Sequence, residues 1–396
     1  MNFVFLSLQR IYTDRESTST SLAKELSKHH QVLYVNPAID RKTSLSGNTD
    51  IYTKQAIEKI KQNEPSLSHP SENMWVLNPT CILESINWIP LTAIFSIFNK
   101  VNNRRLAKEI RKAVAELKFD NFILVNDKDI FRSFYLKELL TPKQYIYLDR
   151  DYTIGFGYWK RHGVTLEPKL MAKSDAVICN SLDFTRNALV HNPNSYYIGN
   201  GVDLALFNNA TSWQSPKKFD EIPKPIIGYV GAILSSRLDI DLIVKTAEAK
   251  PDWSIVMIGG EDEEFAQSKL HSLPNVFFLG KIHKEEIPPY MKYFDVCTNP
   301  QVVNEITIGN FPLKIIEYLA LGRPVVAITT NTMTEVFSEF TYLAENPTEY
   351  IQKIEQALEE DTTENQLARV KFAETFSWEN IASHVVQIIE NLQIKK

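Results

Sequence analysis

Residues 304–326 read NEITIGNFPLKIIEYLALGRPVV, and this order predicts a loop, a helix, a turn and a strand. Pro312 suits the first helical turn, because its missing N–H would have no intrahelical partner there. One helix face is predicted to be buried because apolar side chains recur at helical spacing, at Leu313, Ile316, Leu319 and Ala320. Gly322 is the expected end of the helix, and the apolar run Val325–Ile328 is the next strand. This succession is typical of an α/β domain.

Two polar residues near the start of this helix indicate what it binds. Lys314 and Glu317 lie three residues apart within the first two turns. A helix N-terminus carries unpaired N–H groups and partial positive charge, which suit a phosphate. A lysine there adds charge for a diphosphate, and a carboxylate one turn later can accept hydrogen bonds from ribose hydroxyls. The alternative is an exposed i,i+3 salt bridge between the two side chains.

The run PLKIIEYLALGRPVV, residues 312–326, resembles the sugar-nucleotide motif of retaining glycosyltransferases of the GT-B fold, family 4 and its relatives. These enzymes typically carry two glutamates in this motif, and Glu317 matches the second. Gly309 stands where the first is usual, and Glu305 is the nearest acidic candidate for it. The N-E-x-T segment before the core is similar to a teichuronic-acid and exopolysaccharide subgroup. The resemblance implies that Glu317 holds the ribose and that Glu305 touches hydroxyls of the donor sugar.

Composition bounds the class of protein. A chain of 396 residues is long enough for two domains, and 44% hydrophobic with 23% charged residues is ordinary for a soluble globular protein. The net charge of −5 predicts no general attraction to nucleic acid. Cys81, Cys179 and Cys297 lie far apart, so we expect neither a disulfide framework nor a zinc site, and a reducing cytoplasm. We also expect no signal peptide and no membrane-spanning helix.

Apolar runs alternate with helical patterns in both halves, which predicts parallel, doubly wound sheets. The resemblance implies the GT-B architecture, in which two Rossmann-like domains face each other across a cleft. Polar residues 43–73 are expected to form a surface insertion. The predicted division is a first domain over 1–207, a polar, proline-punctuated linker over 208–225, a nucleotide-sugar domain over 226–375, and a helix over 376–396 that crosses back to the first domain.

The turn after the first strand of the second half is predicted to face the donor phosphates. In the resembling enzymes it reads V-G-R-x-x-x-x-K-G, and here residues 230–238 read VGAILSSRL. Gly231 lets the backbone approach phosphates closely, and Arg237 stands at the lysine position, where arginine can hold a diphosphate bidentately. The alternative is that Arg237 pairs with Asp239 or Asp241. The resemblance adds further donor-site residues: Gly280, Lys281 and Ile282 at the base, then Asn310, Pro312 and Leu313.

Two features of the first half are predicted to serve the acceptor. The loop 9–19 follows the first strand and carries the charged residues Arg10, Asp14, Arg15 and Glu16, of which Arg10, Arg15 and Glu16 are the acceptor candidates. Loops at the carboxyl ends of parallel strands bind ligands, although this one lacks G-x-G-x-x-G, so a dinucleotide oxidoreductase has no support. The alternative is a merely solvated loop. Asp149 and Asp151 follow another strand, where one of them could accept or position the proton of the acceptor hydroxyl; alternatively, both pair with Arg150 or a neighbouring helix.

Residues 86–112 combine an apolar run with a basic flank. The apolar part is too short to span a bilayer, and the basic part contains only one acid, Glu109. Its cations are Lys100, Arg104, Arg105, Lys108, Arg111 and Lys112. This pattern is typical of a helix lying on an anionic membrane surface. The alternative is a core helix followed by a solvated one.

Together these features predict a retaining glycosyltransferase that moves a sugar from a nucleotide-diphosphate sugar to a hydroxyl of a glycan or lipid-linked acceptor, in cell-surface polysaccharide biosynthesis. No cofactor and no metal are expected, and the predicted location is the cytoplasm or the inner face of the membrane. One alternative is a nucleotide-sugar 2-epimerase, although no histidine can be assigned to its cleft. The other is a non-catalytic nucleotide-binding subunit of a polysaccharide-assembly complex.

Overall fold

The computed structural model describes residues 1–13, 16–46, 49–155, 157–304 and 307–394, and the chain divides into two compact units. The first unit is Met1–Gly199 together with the chain from Ile381 onward, and the second is Asn200–Asn380. The segment after Gly199 groups with the second unit because the N–H of Val202 donates to the carbonyl of Phe376 (2.8 Å). The predicted 208–225 linker also falls within the second unit.

The first unit is built on a sheet in the order β3-β4-β2-β1-β5-β6-β7-β8, parallel except for β3. Its strands are β1 Asn2–Ser7, β2 Gln31–Val35, β3 Leu67–Ser71, β4 Met74–Leu77, β5 Ile123–Asp127, β6 Gln144–Asp149, β7 Ala176–Cys179 and β8 Ser195–Tyr197. Its helices are α1 Thr18–Leu26, α2 Arg41–Leu45, α3 Ile51–Lys61, α4 Thr92–Glu116, α5 Leu136–Leu140, α6 Gly157–Lys173 and α7 Leu182–Leu189. The chain runs outward from β1 through β2 to β4 and resumes at β5 on the other side of β1. The carboxyl ends of β1 and β5 therefore form the switch point where such sheets bind ligands.

The second unit repeats this design with a parallel sheet in the order β11-β10-β9-β12-β13-β14. Its strands are β9 Ile226–Val230, β10 Ser254–Ile258, β11 Val276–Gly280, β12 Val296–Asn299, β13 Val325–Ile328 and β14 Tyr342–Ala344. Its helices are α8 Ile240–Ala249, α9 Glu263–Ala266, α10 Ile287–Tyr293, α11 Leu313–Ala320, α12 Pro347–Glu359 and α13 Thr363–Glu374; α14, Trp378–Ile394, begins here and continues into the first unit. Here the switch point lies between β9 and β12. The core on both faces is apolar, as a buried parallel sheet requires.

Helix α11 forms where the sequence predicts it. Pro312 is its N-cap, and Gly322 follows its end with φ +73, a left-handed conformation that glycine adopts without strain. The N–H of Arg323 closes the turn by donating to the carbonyl of Tyr318 (3.0 Å). The buried face is broader than predicted and leaves Leu313 partly exposed. The next strand then returns to the sheet as β13.

The polar stretch 43–73 contains more structure than the sequence suggests. It holds most of α2, all of α3, and the edge strand β3, which pairs antiparallel with β4. These elements bury no complete side chain, which explains why their apolar pattern is weak. Across the described ranges, every helix is too short or too polar to cross a bilayer.

Candidate functional site

Three turns meet at the carboxyl ends of β9, β10 and β11. The N–H of Gly231 donates to the carbonyl of Ile258 (2.9 Å), and the N–H of Gly259 donates to the carbonyl of Gly280 (3.0 Å). A Cβ atom at Gly259 would lie 1.8 Å from the carbonyl oxygen of Gly231, and φ at Gly259 is +156. Only glycine fits this close approach, so Gly259 does more than terminate a strand. The turns consequently present main chain rather than side chains at this edge of the sheet.

Lys314 lies directly over the first of these turns. Its ammonium donates to the Tyr229 hydroxyl (2.5 Å) and stands 4.0 Å from the centre of that ring. A Cβ atom at Gly231 would come within 2.8 Å of the Lys314 Nζ, and φ at Gly231 is +149. The glycine therefore makes room for the lysine. A single cation thus joins the start of α11 to the turn after β9.

The N-terminus of α11 is held in place but is not capped by a side chain within the described residues. The hydroxyl of Tyr318 accepts a hydrogen bond from the N–H of Val230 (2.9 Å), which fixes the helix against the end of β9. The first N–H groups of a helix lack intrahelical partners and attract anions. Together with Lys314, they provide positive charge beside Gly231.

Glu317 lies one turn further along α11 and is half-buried. No described residue donates a hydrogen bond to its carboxylate or forms an ion pair with it. Burial raises the pKa of this carboxyl to about 7; nearby Lys284 and Lys314 lower the pKa, and Asp203 adds to the rise. The alternative Lys314–Glu317 salt bridge is therefore not formed, because Lys314 donates to Tyr229 instead. An acid that is desolvated yet unpaired is well suited to accept hydrogen bonds from a ligand.

The raised pKa of Glu317 predicts a pH-dependent gain in stability on substitution. Between pH 4.5, the ordinary carboxyl pKa, and pH 7, the folded protein holds a proton that the unfolded chain has lost, so the free energy of unfolding falls as the pH rises. We expect Glu317→Gln to be more stable than the native protein by about 3 kcal/mol at high pH, with no difference in acid. Urea denaturation at pH 4.5 and 8 measures this. Glu285→Gln, at an exposed position on a neighbouring turn, is the control. A stability difference that does not change with pH would contradict the assignment.

Arg237 is exposed, and none of the described residues pairs with its guanidinium. The alternative pairing with Asp239 is not formed, because that carboxylate caps α8 by accepting from the N–H of Leu242 (2.9 Å). The Arg237 carbonyl accepts from the N–H of Val302 (2.9 Å), which ties the β9 turn to the loop before α11. Arg237 forms no hydrogen bond or other direct contact with Lys314, so the part of Arg237 in a shared phosphate site stays a prediction.

Other predicted donor-site residues surround these turns. Lys281 lies across Gly260, where a Cβ atom would come 2.3 Å from the Lys281 Cε. Gly280 has φ +71, and Ile282 is partly buried in the loop beyond it. The side-chain oxygen of Asn310 is buried, and no described residue donates to it. Glu305, the predicted sugar-contacting residue, lies outside the described residues.

Sequence reasoning missed two side chains that organise this site. Tyr229 receives Lys314, and Lys284 lies close enough to Glu317 to lower the pKa of its carboxyl. Tyr229 lies in β9 two residues before Gly231, and an aromatic residue so close to the predicted phosphate turn is a signal that the sequence does contain. Lys284 begins a short 3-10 turn and carried no such signal. Among the described residues, no cluster of three or more His, Cys, Asp or Glu side chains could hold a metal ion.

Comparison with known families explains this arrangement. Residues 224–360 match the family model described as Glycosyl transferases group 1. These residues form a group 1 glycosyltransferase domain. The match contains Lys314, Glu317 and the three glycine turns, and it confirms that the motif resembles that of glycosyltransferases. It covers the second unit from just before β9 to the end of α12.

One curated relative matches part of the chain, and several solved structures share the fold of the whole chain. The putative teichuronic acid biosynthesis glycosyltransferase TuaH of Bacillus subtilis (strain 168) is 25% identical over 225 residues, which is 54% of this chain and 56% of that protein. The chain thus matches little more than half the length of this curated relative.

Among solved structures, Anabaena HepE in complex with UDP aligns with 99% of this chain and 100% of its own at 15% identity and a TM-score of 0.67. A trehalose-phosphate synthase from Burkholderia vietnamiensis aligns with 100% of this chain and 99% of its own at 11% identity and a TM-score of 0.68. At such identities the likeness establishes the fold. It confirms the predicted class of two Rossmann-like parallel-sheet domains of the GT-B type.

Outside the group 1 domain, the predicted acceptor aspartates are engaged in ion pairs. Asp149 is buried and pairs with Lys128, which also contacts Glu167 (2.6 Å). Burial raises the pKa of Asp149, although the Lys128 ammonium opposes the rise. Asp151 is 58% exposed and pairs with Arg150 (2.8 Å). Both aspartates are therefore paired, as in the alternative considered from the sequence. Asp151 pairs with Arg150, and Asp149 pairs with Lys128.

The predicted acceptor loop lines a pocket at the switch point of the first sheet. This pocket of about 710 Å³ includes Arg10 after β1 and Arg150 after β6. The Arg10 guanidinium donates to the carbonyl of Pro37 (3.1 Å), and burial lowers its pKa. Glu16 pairs with Lys24 (2.9 Å), so its carboxylate is engaged in the fold. Arg15 lies outside the described residues.

Proposed function

We propose that this protein transfers a sugar, with retention of configuration, from a nucleotide-diphosphate sugar to a hydroxyl of a glycan or lipid-linked acceptor in cell-surface polysaccharide biosynthesis. The observation that carries this proposal is the half-buried, unpaired carboxylate of Glu317, one turn beyond the Lys314 ammonium. The group 1 domain supports it. So do the solved structures of Anabaena HepE in complex with UDP and UDP-glucose, which share the fold.

The donor would bind along the carboxyl edge of the second sheet. Its diphosphate would lie between Gly231 and the N-terminus of α11, where Lys314 and the unpaired N–H groups stabilise negative charge. Arg237, exposed and without a partner among the described residues, would swing onto the same diphosphate. The ribose hydroxyls would donate to Glu317, and the base edge would meet main-chain groups of Gly280, Lys281 and Ile282. In this proposal Glu305 contacts the donor sugar.

The reaction needs charge stabilisation more than it needs a nucleophilic side chain. The bond between the sugar C1 and the diphosphate oxygen breaks, and C1 bonds to the acceptor oxygen on the same face. The acceptor proton passes to the departing diphosphate. Because cationic groups already surround that diphosphate, the proposal requires no divalent metal and no cofactor. Each of these cations stabilises the diphosphate most strongly where water is excluded.

The acceptor hydroxyl would be presented by the first unit. The pocket of about 710 Å³ lies at the switch point of that sheet and contains Arg10. Of the two predicted aspartates, Asp151 has the exposed carboxylate, so we assign positioning of the acceptor to Asp151. Asp149 is engaged with Lys128 inside the fold. We place the reaction in the cytoplasm, where nucleotide sugars are available to the enzyme.

Product analysis tests the proposal. The protein is incubated with a panel of nucleotide sugars and candidate acceptors, and released nucleoside diphosphate and the anomeric configuration of the product are measured. We expect acceptor-dependent release and a product with the donor's configuration. Conversion of the donor sugar without transfer would favour the epimerase. Nucleotide-dependent stabilisation without turnover on any acceptor would favour a non-catalytic subunit.

A further inference from the structure

Helix α4 of the first unit has an apolar face that no described residue of that unit covers. We call this face, with the residues leading into the helix, the docking stripe: Trp88, Leu91, Ile94, Ile97, Phe98 and Val101, all exposed. Trp88 is 74% and Ile97 67% exposed. At 3.6 residues per turn, the five residues from Leu91 to Val101 fall within about 120° of the helix circumference. Scattered exposed apolar residues need no explanation, but a contiguous strip of this kind marks a binding surface.

The opposite face of α4 fixes this orientation. Phe95, Asn99, Asn103 and Leu106 are buried. The carboxamides of Asn99 and Asn103 both donate to the carbonyl of Phe131 (2.8 and 3.0 Å). Turning the docking stripe inward would leave these buried polar groups without partners, at considerable cost. The stripe is therefore exposed because the inner face is specified, and not because the helix is loosely attached.

Positive charge continues the docking stripe along the same side of α4. At the same 3.6 residues per turn, Lys108 and Lys112 lie within the apolar sector and Arg104 lies beside it. These three cations are exposed, and none of them forms a hydrogen bond or an ion pair with a described residue. Between Thr92 and Lys112 the only acid is Glu109, which points elsewhere because it accepts hydrogen bonds from the N–H groups of Thr80 and Cys81 (2.8 and 2.6 Å). Glu116, in the last turn of α4, is exposed on the side of the stripe and leaves an excess of two positive charges there.

We propose that the docking stripe and its cations seat the first unit on the surface of an anionic lipid bilayer. Apolar side chains would enter the interface to the depth of the headgroups, and the cations would meet the negative headgroups. An apolar strip followed by unpaired cations on one side of one helix matches both components of such a surface. A protein partner would need to offer the same combination in one place.

A cavity beside the docking stripe extends this surface toward the switch point. It has a volume of about 740 Å³ and is lined by Trp88 of the stripe and by Tyr158 and Trp159 of α6. It shares Arg132 and three further residues with the pocket of about 710 Å³ that contains Arg10, namely Ala38, Asp40 and Thr43. The two depressions therefore adjoin, and together they connect the docking stripe to the carboxyl ends of the first sheet.

This continuity points to an amphipathic acceptor, a saccharide on a lipid carrier. The lipid would stay in the bilayer beside the stripe, and the saccharide would lie along the adjoining pockets, where Tyr158 and Trp159 offer ring faces for sugar stacking. This second part rests on the proposed transferase function, whereas docking on lipid does not.

Vesicle binding by the full-length protein tests the docking. We expect sedimentation with phosphatidylcholine vesicles that contain phosphatidylglycerol, and about 10-fold weaker binding to phosphatidylcholine alone. Ile97→Gln combined with Phe98→Gln should weaken binding by at least about 10-fold. Val190→Gln, a matched change at an exposed apolar position of the same unit, should have no effect. Arg104→Gln with Lys108→Gln should remove the preference for phosphatidylglycerol. Absence of binding, equal binding to both vesicle types, or an equal loss in the Val190→Gln control would overturn the proposal, as would self-association through the stripe.

Fluorescence locates the contact. Brominated lipid should quench the tryptophan fluorescence of the native protein more than that of Trp88→Phe, since Trp88 lies in the stripe; equal quenching would place the contact elsewhere and overturn the proposal.

Glucoside binding tests the amphipathic acceptor. Titration with octyl and methyl β-glucoside, both below micelle-forming concentrations, should show at least about 10-fold tighter binding of the octyl form. Tyr158→Ala should weaken octyl glucoside binding and leave vesicle binding unchanged. Equal affinities for the two glucosides would reject the amphipathic acceptor.

The two proposals fail in different ways. If the protein binds nucleotide but not vesicles, only the membrane docking is rejected. If it binds vesicles but not nucleotide, only the proposed function is rejected.

Discussion

Lys314→Ala is expected to lower turnover of the nucleotide-sugar donor by at least about 10-fold. The ammonium lies over Gly231 and is held there by the Tyr229 hydroxyl (2.5 Å), so it is positioned before any ligand arrives. Its removal withdraws one positive charge from the place where the leaving diphosphate gains negative charge. Because this charge develops during the reaction, kcat should fall along with kcat/KM. Steady-state kinetics at saturating acceptor measures both.

Lys245→Ala is the matched control for this experiment. Lys245 lies on α8 of the same unit and is exposed. Its removal changes the net charge of the protein equally but leaves the carboxyl edge of the sheet intact. Wild-type kinetics in Lys245→Ala and a large loss in Lys314→Ala support a local role. Equal kinetics in the two variants would remove Lys314 from the donor site.

Glu317→Ala is expected to lower turnover to a similar extent, at least about 10-fold, but through a different part of the donor. Its carboxylate has no partner among the described residues, so it is free to accept two ribose hydroxyls, and such hydrogen bonds to a charged acceptor are strong. The main loss should appear as weaker donor binding, with KM raised more than kcat is lowered. Glu317→Gln keeps one acceptor oxygen and should retain intermediate activity.

Nucleotide fragments separate the two side chains. A nucleoside monophosphate should bind less tightly to Glu317→Ala than to the native protein, because the monophosphate carries the ribose that Glu317 would hold. Its affinity for Lys314→Ala should change less than the affinity of the diphosphate does. Titration calorimetry with both nucleotides measures these differences. A Glu317→Ala variant that turns over the donor at the native rate would contradict the ribose assignment.

Local sequence signals predicted helix α11 and its surroundings because each signal acts over a few residues. Pro312 and Gly322 bound the helix through backbone geometry, and the spacing of apolar residues marks its buried face. The partner of Lys314 could not be predicted in this way. Tyr229 stands 85 positions earlier in the chain and reaches the lysine only because β9 lies beside α11 in the folded unit. The unpaired state of Glu317 follows from that long-range contact.

The same limit explains the first unit. Asp149 and Asp151 lie at the carboxyl end of β6, which the sequence predicted. The strand pattern gives no hint that Lys128, next to the end of the adjacent strand β5, enters the core to pair with Asp149. Residues 43–73 show weak periodicity because α3 and β3 bury no complete side chain. In contrast, the exposure of the docking stripe depends on Asn99 and Asn103, whose partner Phe131 lies in a loop far along the chain. Sequence pattern identified the amphipathic segment, and tertiary packing decided which face stays outside.

Thermal stabilisation by nucleoside diphosphates tests the central claim most directly, since it needs neither the acceptor nor the sugar to be known. A panel of nucleoside diphosphates is added to the native protein, to Lys314→Ala and to Glu317→Gln, and the Tm is measured. We predict that at least one diphosphate raises the Tm of the native protein, that the rise is strongly reduced in Lys314→Ala and partly reduced in Glu317→Gln, and that it is retained in Lys245→Ala. If no diphosphate raises the Tm, or if the rise is equal in all four proteins, the start of α11 is not the donor site.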